Sequence, residues 1–90
     1  MVMMGKAQAK FAVNALHEPN TLSRILEFFA LNDITPATLF ASKVGEDMQN
    51  IEVTCSDVDS RRAEIIANKI RQMVTVRTAR LEVTYLNQAT

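Results

Sequence analysis

Tryptophan is absent, cysteine, histidine and tyrosine occur once each, and glycine and proline only twice each in 90 residues. Each scarcity excludes something. The lone cysteine, Cys55, cannot close a disulfide within the chain, and beside the single His17 it makes no recognisable metal-ligand set. An unpaired thiol fits a reducing compartment. Ten Lys and Arg balance ten Asp and Glu, so the basic excess with which nucleic-acid binders displace phosphate counterions is missing. Arg61, Arg62, Lys69 and Arg71 read instead as the wet face of a helix. No apolar run approaches the ~20 residues that cross a bilayer, and Met1 to Lys6 hold too few apolar residues for a signal-peptide core. The expectation is a cytoplasmic protein that partners neither membrane nor nucleic acid.

What is present is ordinary globular material, 48% hydrophobic and 22% charged, in a length that suits one domain with a thin core. From Lys6 to Leu16 small and apolar residues alternate with polar ones, which places Ala7, Ala9, Phe11, Val13 and Ala15 on the buried side of a strand. Leu22, Ile25, Leu26 and Phe29 then recur at helical spacing, with Asn20 or Thr21 as candidate N-caps. Asn32 and Asp33 tolerate the left-handed backbone that ends a helix, and Pro36 forbids its continuation. Ala37 to Val44 and Gln49 to Ser56 form a hairpin around Gly45, Glu46 and Asp47, with Ile51, Val53 and Cys55 inward and Asn50, Glu52 and Thr54 outward. Asp57 or Asp59 caps a second helix striped by Ala63, Ile66, Ala67, Ile70 and Met73. Val74 to Leu86 is the last strand, with Ala79, Leu81, Val83 and Tyr85 inward. The order strand, helix, strand, strand, helix, strand predicts an α+β, ferredoxin-like βαββαβ domain over residues 6–86. Its four-stranded antiparallel sheet carries both helices on one face. Residues 1–5 and 87–90 are expected to be flexible ends.

The residue types that carry chemistry are thin on the ground. Cys55 lies on an inward strand position, where a cysteine acts as a small apolar filler, and no triad can be built around His17. His17 and Glu18 could form an acid–base pair only if adjacent loop residues converged on one substrate. A metallochaperone of this topology needs paired cysteines in the first loop, which has none. An RNA-recognition domain needs aromatic platforms on the outward faces of strands one and three, and those faces offer Gln8, Lys10, Asn14, Asn50, Glu52 and Thr54. No catalytic residue, cofactor or metal site is therefore expected, and binding is the function left.

The segment from Glu18 to Phe29, with the turn and strand from Thr35 to Phe40, resembles an ACT domain. Pro19, Leu22 and Arg24 match the Pro-Gly-x-Leu-x-Arg start of that family's first helix, while Asn20 and Asp33 stand where its pattern has glycine and Thr35-Pro36 where it has Asn-Ile. Within the family the chain is most similar to the short regulatory subunits of acetolactate synthase, through Gln49 to Thr54 and Arg71 to Val76; the likeness runs from about Lys6 to Val83. The resemblance implies an amino-acid ligand, held between the first loop and the adjoining chain of a homodimer, and a large catalytic enzyme as partner. Carried over by position, its ligand-binding residues are His17, Glu18, Asn20, Thr21, Leu22 and Thr35. Free N–H groups at a helix start suit a carboxylate. The alternative is a protein–protein adaptor of the same fold that binds no small ligand.

Overall fold

The computed structural model describes residues 7–85. Strand β1 spans Ala7–Leu16, and its five inward residues, Ala7, Ala9, Phe11, Val13 and Ala15, are all buried. Helix α1 follows at Pro19–Leu31, β2 at Thr38–Val44, β3 at Met48–Val58, α2 at Ser60–Arg71 and β4 at Val76–Tyr85. The sheet order is β2-β3-β1-β4 with every neighbour antiparallel, which is the expected ferredoxin-like arrangement. The first strand in sequence therefore lies inside the sheet, and the hairpin strand β2 lies at its edge. Expectations for residues 1–6 and 86–90, including the flexible ends, fall outside the described residues.

Phe11 from β1 meets Phe29 from α1 edge to face, with centroids 5.0 Å apart and planes at 87°, a geometry that sets the positive ring edge of one against the negative face of the other. Around this pair gather Ile25, Ile51, Val53 and Cys55, and then Ala63, Ile66, Ala67 and Ile70 of α2. The stripe on α2 is thus the expected one. On α1 the buried line is Thr21, Ile25 and Phe29, and Leu22 packs against its margin.

The helix starts differ from expectation in an instructive way. Asp59 caps α2, accepting from the Arg61 N–H at 2.8 Å. Helix α1, by contrast, is not capped by Asn20 or Thr21. It begins at Pro19, with Glu18 as N-cap residue and no side-chain cap bond, because proline's fixed φ and missing N–H suit the first helical position. That moves Asn20 and Thr21 inside the first turn. At the far end Asp33 takes a left-handed φ of 57°. Its N–H reaches Ala30 at 3.1 Å and that of Ile34 reaches Phe29 at 2.9 Å, a Schellman closure of the last carbonyls. A second left-handed residue, Asp57 at φ 56°, sits where β3 carries an extra residue against β1, between the pairs Ala7 with Val58 and Ala9 with Cys55.

Strand β2 departs from a half-buried pattern. All seven of its residues are exposed, since the helices cover the strands further in and α2 lies on β4 and β1. Leu39 and Ala41 share the helix side with Val53 and Ile51, whereas Phe40 and Val44 stand on the open side opposite Glu52 and Met48. Val44, Met48 and Leu16 pair in one row, so the open face has an apolar corner in an otherwise polar surface.

Candidate functional site

Strand β1 ends at Leu16, and the loop that follows is fastened on both flanks. The Leu16 N–H donates to Thr75 at 2.8 Å and the His17 N–H to Asp47 at 2.7 Å. Gln49, which is buried, donates from its amide Nε2 to the Leu16 carbonyl at 2.8 Å. A buried amide left unpaired would cost about 1–3 kcal/mol, so this bond fixes β3 to the loop. The first loop is a rigid platform joined to the hairpin tip on one side and to the α2–β4 connection on the other.

Thr21 is the best buried polar residue of the platform, at 1% exposure. Its hydroxyl bonds the Glu18 carboxylate and, at 2.8 Å, the hydroxyl of Thr75. These bonds tie the first turn of α1 to the connection between α2 and β4, and beside them opens a cleft of about 300 Å³ lined by Glu18, Asn20, Thr21, Arg24, Met73 and Thr75, with Val74 at its rim. Of the residues the resemblance implies as ligand-binding, Glu18, Asn20 and Thr21 line this cleft. Arg24 is exposed on α1, and Val74, expected in β4, lies in the preceding turn and is 98% exposed. An apolar residue following Met73 at the end of a helical stripe was the signal for that turn.

The other site residues are placed apart. His17 is exposed in the loop, Leu22 packs on the core, and Thr35 precedes β2 instead of opening it. Thr35 lines a second cleft, about 390 Å³, at the opposite end of the sheet with Asp33, Asp57, Asp59 and Arg62. Within one chain it does not meet the first loop. Among the basic residues of α2, Arg62 donates to the Asn32 carbonyl at 3.2 Å, and Arg71 to the Ala79 carbonyl at 2.9 Å and to Asn68 at 2.8 Å. Two of the four thus hold the helix to its surroundings.

Cys55 is buried beneath the helices, and burial pushes its thiol from 9.0 up to about 11. It stays protonated near neutrality, whereas a nucleophile needs the thiolate. Among the described residues no group of three His, Cys, Asp or Glu side chains could hold a metal ion, and no helix is long and apolar enough to cross a membrane.

The fold is a small ferredoxin-like α+β module whose first loop is fastened on both flanks. The family model for ACT-like domains matches residues 3–88, and the chain belongs to that family. Solved structures agree in fold at low identity. The ACT domain of a GTP pyrophosphokinase from Chlorobium tepidum superposes with a TM-score of 0.70 at 11% identity, over 83% of this chain and 96% of that one. The C-terminal domain of the MgtC protein from Mycobacterium tuberculosis gives 0.70 at 14%, over the whole of both chains. The regulatory subunit of aspartate kinase from Thermus thermophilus, in its ligand-free form, gives 0.64 at 14%, over 83% of this chain and half of that one. No curated protein sequence matches the chain.

Proposed function

We propose that this ACT-like domain is an amino-acid-sensing regulatory module, acting as a regulatory subunit of an amino-acid biosynthetic enzyme of the acetolactate synthase kind. The observation that carries the reading is the first loop. It is held by Thr75, Asp47 and Gln49 and presents the start of α1 beside a cleft, in a chain of the ACT-like family. A regulatory subunit of aspartate kinase has the same fold, which supports the functional class.

The dimer belongs to the same proposal. Among the described residues strand β2 is an edge of the sheet, with Leu39 and Phe40 exposed, a surface that another strand completes. Self-pairing about a two-fold axis is antiparallel, so the partner's β2 runs the other way. Its preceding segment then comes to the end of the sheet that holds the first loop. The separation of Thr35 from His17 and Glu18 within one chain is thereby reconciled with a site shared between two.

Thermal unfolding against L-valine, L-leucine and L-isoleucine tests the reading, because a ligand at a hundred times its Kd adds about 2.7 kcal/mol. A rise in midpoint with one of the three is expected, together with a dimer in sedimentation at micromolar concentration. A second reading, the ligand-free adaptor, is favoured by the open-face corner of Val44 and Leu16, which are 43% and 41% exposed. Failure of every amino acid to shift the midpoint, with co-purification of a larger enzyme, would select it.

A further inference from the structure

One face of the sheet lies under the helices, and on the other Lys10, Glu52, Arg80 and Glu82 are exposed. An antiparallel sheet can present one face to water without a partner, so the selective fact is the order of residues across the ladders. From β2 through β3 and β1 to β4, one row is Phe40, Glu52, Ala12 and Arg80, and the row on one flank of it is Thr38, Thr54, Lys10 and Glu82. On the other flank Asn50 stands beside Asn14, joined by a 2.9 Å hydrogen bond, and Met48 beside Leu16 comes next. Ala12 is the small side chain among the charges, and above it lies a hollow of about 250 Å³ walled by Lys10, Glu52, Arg80 and Glu82.

We propose that this face is self-complementary and stacks on the same face of a second copy, about a two-fold axis that runs along the strands over the seam between β3 and β1. Such an axis reverses each row onto itself. Phe40 then meets the partner's Arg80, Glu52 meets the partner's Ala12, Lys10 meets the partner's Thr54, and Met48 meets the partner's Leu16. Each Glu52 enters the hollow of the other copy, beside the partner's Arg80 and the partner's Lys10, so the two carboxylates flank the axis among the arginines and lysines of both chains. Phe40 is 68% exposed, and a guanidinium over its ring makes a cation–π contact. The other axes fail. Laid across the strands over the Glu52 row, an axis sets Glu52 on the partner's Glu52 and Arg80 on the partner's Arg80. Shifted towards Asn14, it sets Lys10 on the partner's Leu16; shifted towards Lys10, it leaves Met48 and Leu16 outside the contact.

The size of the face sets the strength. At about 4.8 Å per strand and 3.4 Å per residue, the four rows cover roughly 450 Å² on each copy. The stack thus buries about 900 Å², under the roughly 1,200–2,000 Å² of stable interfaces, which makes it a weak contact that depends on concentration. It leaves the backbone edge of β2 free, and it does not rest on the sensor reading.

The test is sedimentation equilibrium of the full chain from micromolar to millimolar concentration, with Glu52→Arg, Arg80→Glu and, as control, Glu64→Arg on α2. All three positions are exposed, so the core is left intact, and circular dichroism confirms the fold of each variant. Glu52→Arg brings like charge to the partner's Arg80, and Arg80→Glu brings a second carboxylate to the partner's Glu52. Each is expected to weaken the association about tenfold or more. An equimolar mixture of the two variants puts opposite charges together again and should regain it. Glu64→Arg changes the net charge as Glu52→Arg does and should leave the mass unchanged. Pairing through the β2 edge persists in every variant, so its loss or survival is read separately. If Glu52→Arg and Arg80→Glu keep the mass of the unsubstituted protein at every concentration, or if their mixture stays as dissociated as its components, the stack is overturned.

Discussion

Phe29→Ala tests the packing argument most directly. The ring is 1% exposed and stands edge to face on Phe11 at 5.0 Å. Truncating a buried phenylalanine costs about 3–5 kcal/mol, of which the aromatic pair supplies roughly 0.5–1.5. A chain of 90 residues has only about 5–13 kcal/mol of stability to lose, so the variant sits close to the folding threshold. With a urea slope of about 1 kcal/mol per molar, the midpoint should fall by roughly 3–5 M. Leu31→Ala is the internal control, because Leu31 is 75% exposed on the same helix and its loss should stay within about 0.5 kcal/mol. The measurement is equilibrium urea unfolding followed by far-ultraviolet circular dichroism. A loss below about 1.5 kcal/mol for Phe29→Ala, or one equal to that of Leu31→Ala, would refute the placement of α1 on the sheet through this ring.

Three further outcomes follow from local geometry. Asp59→Ala removes the side-chain acceptor for the Arg61 N–H and should cost about 1 kcal/mol, read from the same urea curves; an unchanged midpoint would mean the cap contributes nothing. Asp33→Gly should raise stability by up to about 1 kcal/mol and Asp33→Val should lower it, because φ is 57° there; the reverse order in differential scanning calorimetry would contradict a left-handed closure. Cys55 ionises near 9.0 when unfolded and about 11 when folded, so its contribution is complete below pH 9. Between pH 9 and 11 the unfolded chain releases the proton first, and stability should decline by roughly 2–3 kcal/mol relative to Cys55→Ala. Parallel slopes for the two proteins across that range would rule this out.

Most of the architecture was legible because strand and helix periods differ and each buries one face. The alternation through Phe11 and Val13 and the stripe from Ala63 to Ile70 required no tertiary information. Thr21 could not be assigned that way. A threonine in the first turn of a helix looks like a cap, and only the approach of Thr75, 54 residues further on, shows why it is buried. Strand β2 is exposed at every position, because its burial depends on sheet order, which sequence period does not encode. The separation of Thr35 from the first loop is likewise a matter of topology. The strand-to-helix connection reverses direction, so residues flanking the two ends of α1 fall at opposite ends of the sheet. Val74 was misplaced because valine favours strands, and the turn at residues 74–75 overrode that preference.

The central position of β1 has a consequence for how the chain is made. This strand is synthesised before the other three, but its two neighbours are β3 and β4, and the partner of Ala7 across the second ladder is Tyr85. Until β4 emerges, the growing polypeptide carries a strand whose buried face is assembled while one of its edges lies open. Sheet closure must wait for contacts nearly the whole length of the domain apart, and such long loops slow folding. The nascent chain therefore passes through a stage in which its innermost strand is, for a time, an outermost one.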